Sequence, residues 1–299
     1  MTSSKDVITV VTHSGAFHAD DVFACATLAL YFKDKEIKIT RSRDRDIFSK
    51  ADVVVDVGEE YNPKKLRFDH HQKEGAGSRE NNIPYASFGL VWKEYGEFLT
   101  GSKESFQMID DKIVAPIDAG DNGIELTEKK SDISPYRISS MVGSFNSSWT
   151  ENAEIVNDLN FSKMVGWAKD IILREIVLAN DFLKAQSIVE DVYKNTEDKR
   201  IIVLDGPYPA DDVLQKYSEP LYIVKLRQDG RWGLKCVRAK DKSFDNRKDL
   251  PKEWSGLRDE ALQKLTGVHD AVFCHKALFL AAAASKEGAL ELARLAVEY

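Results

Sequence analysis

The chain has 299 residues with 42 Lys and Arg against 49 Asp and Glu, a formal net charge of −7. This acidic balance argues against a protein that coats nucleic acid through charge alone, since such binding depends on neutralising many phosphates. The three cysteines have no CxxC spacing, which indicates neither a disulfide framework nor a thiolate zinc site. No apolar run approaches the roughly 18 to 20 residues of a membrane-spanning helix. The first strand-like run also begins too early for a cleavable leader, so we expect a cytoplasmic protein without a membrane partner.

The first 120 residues alternate strand-like and helix-like segments. The predicted strands are VITVVTH (7–13), EIKIT (36–40), DVVVDVG (52–58) and LRFD (66–69). The predicted helices are DDVFACATLALYF (20–32) and SFGLVWKEYGEFL (87–99), the second with an apolar stripe of Phe88, Val91, Trp92, Tyr95, Phe98 and Leu99. This alternation predicts an α/β fold with a mainly parallel sheet flanked by helices.

The rest of the chain predicts a long helix and then a smaller unit. Residues 161–193 have a helical pattern, with a predicted buried side of Phe161, Met164, Val165, Ala168, Ile171, Ile172, Leu178 and Phe182. After the polar stretch YKNTEDKR come four strand-like segments, IIVLDG (201–206), LYIVKLR (221–227), RWGLKCVRA (231–239) and DAVFCH (270–275), and a final helix, KEGALELARLAVEY (286–299). We therefore expect two domains, residues 1–196 and a mixed α/β domain of residues 197–299.

Histidines and acids recur where the predicted strands of the first domain end. They fall in four groups: His13, His18, Asp20 and Asp21; Asp56; Asp69, His70 and His71; Asp118 and Asp121. In an open α/β sheet ligands bind outside the carboxyl ends of the strands. The four groups are therefore expected to converge on one site.

Each group also has a structural explanation that needs no ligand. HADD before a helix suits an N-terminal cap with acids favouring the helix dipole. Asp56 could cap a neighbouring loop, although an unpaired buried carboxylate would cost several kcal/mol. Asp118 and Asp121 share one helical face if the helix continues past Pro116, but DAGDNG is also an ordinary helix-ending turn.

The donor set favours particular metals. Imidazole and carboxylate groups without thiolate disfavour structural zinc and suit Mn²⁺ or Mg²⁺, and the histidines favour Mn²⁺. Several carboxylates in one pocket would repel each other unless more than one divalent ion neutralised them, so we expect two ions. Such a site activates water and stabilises the attacking and leaving oxygens in phosphoryl transfer.

The residues resemble the DHH phosphoesterase superfamily and, within it, the Myg-type (melanocyte proliferating gene) exonuclease family. The resemblance rests on THSGAFHADDVFACA, FDHHQ, DNGI and WSGLRDEAL and runs from about residue 8 to the C-terminus. It implies a DHH-type first domain with metal ligands His13, His18, Asp20, Asp56, His70 and Asp118, and Asp21 and Asp121 complete our candidate set. We expect His71 to face the substrate phosphate, since the strand pleat would separate it from His70. Asp69 is either a ligand or the residue that orients His71, and both are candidate catalytic residues.

The superfamily's second domain carries a substrate-gripping motif that is often rich in glycine. The equivalent segment here is FCHKALFLAAAASKEGAL (273–290), with Ala281 and Ala282 where the family more often has paired glycines. The candidates for holding a phosphate or a terminal nucleotide are His275, Lys276, Lys286, Arg247 and Arg258. Solvated surface charge is the alternative reading of each.

These observations lead to one main hypothesis and two alternatives. The main hypothesis is a two-domain phosphodiesterase in which a water activated by two metal ions attacks phosphorus. The family resemblance implies 3′ to 5′ exonuclease action on RNA or short oligonucleotides, with the substrate in a cleft between the domains and its terminal base against Phe145, Trp149 or Trp232. The alternatives are a phosphatase or pyrophosphatase with the same metal core, and a metal-binding protein without turnover. A homodimer is left open.

Overall fold

The computed structural model describes residues 6–128, 131–240 and 244–299. The chain divides into two compact units, Met1–Asn180 and Asp181–Tyr299, and the division falls within a single helix of 43 residues. The predicted boundary at 196/197 falls just after the end of this helix. Within the described part of the chain, no helix is both long and apolar enough to span a membrane.

The first unit contains five strands and most of the helices. The strands are β1 (Val7–Thr12), β2 (Glu36–Arg41), β3 (Val53–Val55), β4 (Tyr61–Asn62) and β5 (Arg67–Phe68). The helices are α1 (Ala19–Tyr31), α2 (Arg45–Phe48), α3 (Ser87–Thr100), α4 (Lys103–Ile109), α5 (Ala115–Asp121), α6 (Ile138–Gly143) and α7 (Ala153–Asn195). A π-helical turn (Asp110–Val114) joins α4 to α5, and a short 3₁₀ turn (Pro63–Lys65) joins β4 to β5.

The sheet of the first unit has the order β2-β1-β3-β5-β4. All its pairs are parallel except β4 with β5, which confirms a mainly parallel sheet with helices around it. Strand β4 was not predicted, because an asparagine before a proline reads as a turn. Since β1, β3 and β5 run in the same direction, their carboxyl ends lie at one edge of the sheet.

Helices α1 and α3 supply much of the core beside this sheet. Phe23 of α1 packs on Phe88 of α3, with ring centroids 5.3 Å apart, and Trp92 is fully buried one turn further on. The stripe predicted for α3 is wrong at one position. Phe98 is 71% exposed, since it lies near the end of the helix against Tyr31 and beyond the core.

Helix α7 begins earlier than predicted, at Ala153, because its first turns bury Asn157 and expose Ile155 and Leu159, so they lack the apolar periodicity of a buried face. Phe161, Met164, Val165, Ala168 and Ile172 are buried as predicted, and Ile171 is half-buried. Leu178 is 41% exposed and Phe182 only half-buried, so the buried side was wrongly extended to these two residues. The small side chains of Ala179 and Ala185 are buried there instead.

The second unit is built on a mixed sheet with the order β6-β7-β8-β10-β9. Its elements are β6 (Ile201–Leu204), α8 (Asp211–Leu214), β7 (Tyr222–Leu226), β8 (Trp232–Cys236), α9 (Asp259–Thr266), β9 (Ala271–Cys274), β10 (Leu280–Ala283) and α10 (Lys286–Glu298), with a 3₁₀ turn at Lys252–Trp254. Only β6 and β7 are parallel, and the other pairs are antiparallel. This arrangement confirms a mixed α/β unit.

The alanines at 281–283 belong to β10, an interior strand of this sheet that was not predicted from the sequence. Ala281 and Ala282 are fully buried and lie in β10 between β8 and β9. Ala282 pairs with Gly233 on one side and Phe273 on the other. The backbone of this segment therefore takes part in two strand pairings, and its small side chains allow close packing.

Candidate metal centre

Three candidate residues directly follow three of the four parallel strands. His13 comes after the last residue of β1, Asp56 after β3 and Asp69 after β5. Asp56 has a left-handed backbone with φ of 54°, which Asp tolerates better than most residues. Its backbone N–H donates to the carbonyl of Phe68 at 3.0 Å, so the turn keeps the ends of β3 and β5 together.

A first group of possible ligand atoms is formed by His13, His18 and Asp56, whose atoms lie within 4.8 Å of one another. His13 Nε2 is 3.4 Å from Asp56 Oδ2 and 3.2 Å from Asp21 Oδ2. His13 Nδ1 lies 3.3 Å from the carbonyl oxygen of Ser14, which suits an Nδ1–H donor and leaves Nε2 for a metal. His18 precedes α1, where its backbone N–H donates to Asp21.

A second group is formed by Asp20, His70 and Asp121, and a third by Asp56, His70 and His71. His70 Nε2 lies 3.1 Å from Asp121 Oδ2 and 3.5 Å from Asp56 Oδ1. Asp56 therefore belongs to the first group and the third, and His70 to the second and the third. The structure thus brings the four sequence-distant regions to one place.

The prediction that the strand pleat separates His71 from His70 is wrong. Strand β5 ends at Phe68, so the alternation of strand side chains does not extend to the histidines. Their ring centroids are only 4.3 Å apart, and His71 Nδ1 is 3.6 Å from the same Asp56 oxygen that lies near His70. The two histidines instead differ in burial, since the side chain of His71 is 57% exposed and that of His70 only 9%.

The electrostatics of the centre favour bound cations. Burial raises the pKa of Asp20 well above its ordinary value, and the nearby charges of Asp56 and Asp121 raise it further. Burial raises the pKa of Asp21 to about 7, although His13 opposes the shift. Burial also acts on Asp56, but His13 and His70 outweigh it and hold its pKa below the ordinary range. Without cations, protons on the histidines and acids must balance the buried negative charge.

Two atoms test whether the residues present fit a metal. His70 Nε2 and Asp21 Oδ2 are buried and, among the described residues, make no hydrogen bond of acceptable geometry. Buried polar atoms nearly always have a hydrogen-bond partner. Two possible metal ligands that lack such a partner, beside several carboxylates, therefore suit the coordination of an ion. Imidazole and carboxylate ligands without thiolate fit Mn²⁺ or Mg²⁺.

Asp69 and His71 form a pair at the edge of these groups. His71 Nδ1 is 2.7 Å from Asp69 Oδ1, and the buried Asp69 also accepts the backbone N–H of Glu59 at 2.6 Å. The hydrogen bond that His71 donates to Asp69 raises the pKa of His71 more than burial lowers it. Asp69 therefore fixes the orientation of the ring, and Nε2 is the ring nitrogen left to meet a ligand.

The structure places Asp118 in a salt bridge, outside the three ligand groups. Arg79 Nη1 donates to Asp118 Oδ2 at 2.7 Å, and the backbone N–H of Gly89 donates to Oδ1 at 3.0 Å. Arg79 also donates to both oxygens of Asp110, at 2.7 and 2.8 Å. Asp121, three residues after Asp118 on helix α5, is the acid that meets His70. Arg79 was missed because it lies in a polar loop whose sequence has no periodicity and matches no motif.

Two cavities adjoin the ligand groups. The first has a volume of about 340 Å³ and is lined by His13, His18, Arg43, Asp56, Val57, Gly58, Glu59, Asp69, His71 and Asp121. The second has a volume of about 500 Å³ and is lined by Ala16, Phe17, His18, Ala19, Asp20, Ile117, Gly120, Asp121, Ser139, Gly143 and Asn146. The two cavities share His18 and Asp121. Together they therefore have room for a ligand that carries more than one chemical group.

The candidates for substrate binding lie in the second unit and differ in their surroundings. Arg247 donates to the backbone carbonyls of Gln215, Tyr217 and Pro220, so it holds a loop. The others are His275, whose Nδ1 accepts the N–H of Ala277, and three exposed cations, Arg258, Lys276 and Lys286. Lys286 lies 5.4 Å from the ring of Trp232, and Arg258 5.6 Å from the ring of Phe273.

Comparison with known proteins gives consistent matches over nearly the whole chain. The family model MYG1_exonuc, described as "Uncharacterised protein family (UPF0160)", matches residues 9–297. A MYG1 protein of Dictyostelium discoideum is 34% identical over 315 residues, covering 96% of this chain and 95% of the relative. A MYG1 exonuclease of Homo sapiens is 30% identical, covering 95% of this chain and 84% of the relative. With its candidate metal centre inside the matched region, the chain belongs to the MYG1_exonuc family.

Proposed function

We propose that this protein is a divalent-metal-dependent hydrolase that cleaves phosphodiester bonds at the ends of nucleic acid strands. The convergence of three ligand groups around Asp56 and His70 is the observation that carries the proposal. The relatives named MYG1 exonuclease support a nuclease-like function. RNA as substrate and 3′ to 5′ polarity follow from the resemblance to the DHH phosphoesterases and are part of the proposal.

The residues suggest how two ions would be held. One ion would take His13, His18 and Asp56, and the other Asp20, His70 and Asp121, with Asp56 close to both. Mn²⁺ is our first choice because of the histidines, and Mg²⁺ is the alternative. When bound, the ions would lower the pKa of a water molecule and stabilise negative charge on phosphoryl oxygens.

His71 and Asp69 are the residues that we expect to act on the substrate itself. His71 lines the first cavity, and its hydrogen bond with Asp69 raises the pKa of the ring, which favours the protonated form more than in a free imidazole. Nε2–H can then donate to a phosphoryl oxygen or give a proton to the leaving oxygen. Asp69, buried and bonded to Nδ1, keeps the ring in the orientation that this transfer requires.

The remaining substrate contacts are proposals of the same kind. His275, Arg258, Lys276 and Lys286 are available for phosphate or a terminal nucleotide, whereas Arg247 is occupied by backbone carbonyls. Trp149, which is 95% exposed, and Phe145 offer stacking surfaces for unpaired bases. A cytoplasmic location and a homodimer stay predictions.

The proposal is tested with single-stranded RNA and DNA 20-mers labelled at either end, incubated with the Mn²⁺-loaded protein. We expect stepwise shortening from the 3′ end, faster for RNA, and none in excess chelator. Pyrophosphate and a phosphate monoester are assayed in parallel. Release of phosphate from these without any cleavage of the 20-mers would show a phosphatase instead.

Two substitutions separate the proposed centre from a contaminating nuclease. Asp56→Asn keeps the shape and tolerates the left-handed backbone, but removes the charge near both ions. His70→Ala removes a donor shared by two of the ligand groups. We expect each to lower the rate of cleavage at least 100-fold. Activity that survives both substitutions would contradict the site, and Mn²⁺ binding without turnover on any substrate would favour a non-catalytic metal-binding protein.

A further inference from the structure

One cation stands out in the first cavity. The lining of this cavity includes four acids, Asp56, Glu59, Asp69 and Asp121, and three histidines. Among the described residues of this lining, Arg43 is the one with a permanent positive charge. The sequence motifs did not single it out.

The fold brings Arg43 to the metal centre. Strands β1 and β2 are parallel, and Thr12 pairs with Arg41, so the residues that follow both strands lie at the same edge of the sheet. Arg43 Nε lies 3.3 Å from the carbonyl oxygen of Ser14, in the loop between His13 and His18. This contact orients the guanidinium group beside two candidate metal ligands.

Arg41 and Arg43 contact the same loop in different ways. The side chain of Arg41 is largely buried and both of its terminal nitrogens are engaged, since Nη2 donates to the carbonyl of Gly15 at 2.6 Å and Nη1 pairs with Asp158 at 2.8 Å. Arg43 is exposed, and among the described residues its two terminal nitrogens have no hydrogen-bond or ion-pair partner. Arg41 thus supports the loop, whereas Arg43 presents two free donors to the cavity.

A fixed cation beside this centre would oppose the binding of divalent metal ions. At about 10 Å or less, such repulsion is only partly screened by salt. An anionic ligand between the cation and the ions removes this penalty. The planar pair of terminal N–H groups matches two oxygens of a phosphate better than a lysine ammonium does.

We infer that Arg43 binds the nonbridging oxygens of the phosphate that enters the first cavity, and is a substrate-binding residue of the proposed reaction. The inference rests on the proposed function for its substrate class, a nucleic acid phosphodiester. Nε holds the side chain against the loop, and Nη1 and Nη2 contact the anion. Arg43 therefore acts mainly in capturing the substrate.

The chain offers a matched control at Arg45, which is also exposed and lies only two residues further on, outside the lining of the cavity. With the dinucleotide UpU as substrate and Mn²⁺ present, we expect Arg43→Ala to raise KM about 10- to 100-fold, as for loss of a charge-assisted hydrogen bond. The change in kcat should be smaller, and Arg43→Lys should fall between. Arg45→Ala should leave KM within about twofold, since simple removal of surface charge has little effect on a short ligand.

A binding measurement separates this inference from the proposed function. Calorimetry with inorganic phosphate and the Mn²⁺-loaded protein should show weaker binding to Arg43→Ala and unchanged binding to Arg45→Ala. If the wild type binds phosphate in this way but cleaves no phosphodiester, the proposed function fails and the role of Arg43 as an anion-binding residue stands. Equal KM and equal phosphate affinity in Arg43→Ala and wild type would overturn the inference. So would a matching loss of Mn²⁺ affinity, because Arg43 would then serve only to hold the loop of His13 and His18.

Discussion

At the scale of single residues, Asp69 and His71 have different environments although both lie in one short motif. Asp69 is buried and makes contacts with Glu59 and His71, while His71 reaches the cavity. Neither Asp69 oxygen belongs to the three ligand groups among the described residues. We therefore propose that Asp69 positions His71, and that His71 touches the substrate.

We predict that Asp69→Asn lowers kcat about 100-fold while leaving Mn²⁺ affinity within about threefold. The amide can present N–H to His71 Nδ1, which favours the wrong tautomer, and it removes the charge that stabilises a protonated ring. Kinetics of Asp69→Asn, His71→Gln and the double variant form a cycle that measures the coupling. If the two losses simply multiply, Asp69 does not act through His71.

Residue roles could be predicted from the sequence only where the fold forces residues together. The meeting of His13, Asp56 and His70 follows from parallel strands whose ends share one edge. The neighbours of His70 and His71 could not be derived, because the motif lies beyond the end of β5. The different surroundings of Asp118 and Asp121 depend on Arg79, which reaches Asp118 from a loop without periodicity.

At the scale of elements, helices α3 and α5 are held together by an unusually close contact. Gly89 of α3 lies so near Asp118 of α5 that an added Cβ would be 1.8 Å from the carboxylate Oδ2. Arg79 and the Gly89 N–H fix this carboxylate, so it has no room to move aside. The position of Asp121, one turn along α5, depends on this contact.

We predict that Gly89→Ala destabilises the protein by about 1 to 3 kcal/mol, the usual cost of overpacking a core. The intrinsic helix propensity of alanine would favour the opposite result by up to about 1 kcal/mol. Gly166→Ala in α7 is the matched control, since nothing lies within 4 Å of its added Cβ. We expect this control to be neutral or slightly stabilising in urea denaturation. A stable Gly89→Ala protein would mean that α3 and α5 are farther apart than described.

The long helices and most of the strands could be predicted, including the short strands β3 and β5. Helices α1 and α3 end within one residue of their predicted segments because a buried helix of this length has a strong apolar pattern. Strands β4 and β10 were missed, since an asparagine before a proline reads as a turn and a run of alanines carries no strand signal. The early start of α7 was hidden because Asn157 is buried there while Ile155 and Leu159 are exposed.

At the scale of the whole molecule, stability is expected to depend on metal. Asp20, Asp21, Asp56 and Asp118 are all buried, so the metal-free fold encloses several acids in a small volume. An ion that binds only the folded protein stabilises it by about 2.7 kcal/mol at 100 times its Kd. We therefore expect metal binding to contribute to folding as well as to the proposed chemistry.

We predict that Mn²⁺ raises the melting temperature and that Asp121→Asn reduces this increase. Asp118→Asn should lower the melting temperature with or without Mn²⁺, because it weakens the salt bridge with Arg79. Its increase on adding Mn²⁺ should remain close to that of the wild type. Differential scanning calorimetry of the three proteins, with Mn²⁺ and with chelator, gives both quantities. A normal increase in Asp121→Asn together with a lost increase in Asp118→Asn would reverse the proposed ligand assignment.

The location of Asp56 between His13 and His70 has a thermodynamic consequence. A carboxylate that serves two cations is oriented by the first, so the first ion changes the affinity for the second, and the effect is reciprocal. Occupancy of the centre should then rise with Mn²⁺ concentration more steeply, or in two more widely separated steps, than two independent sites allow. The protein would in that case respond to changes in the concentration of free divalent metal ions as well as to its substrate.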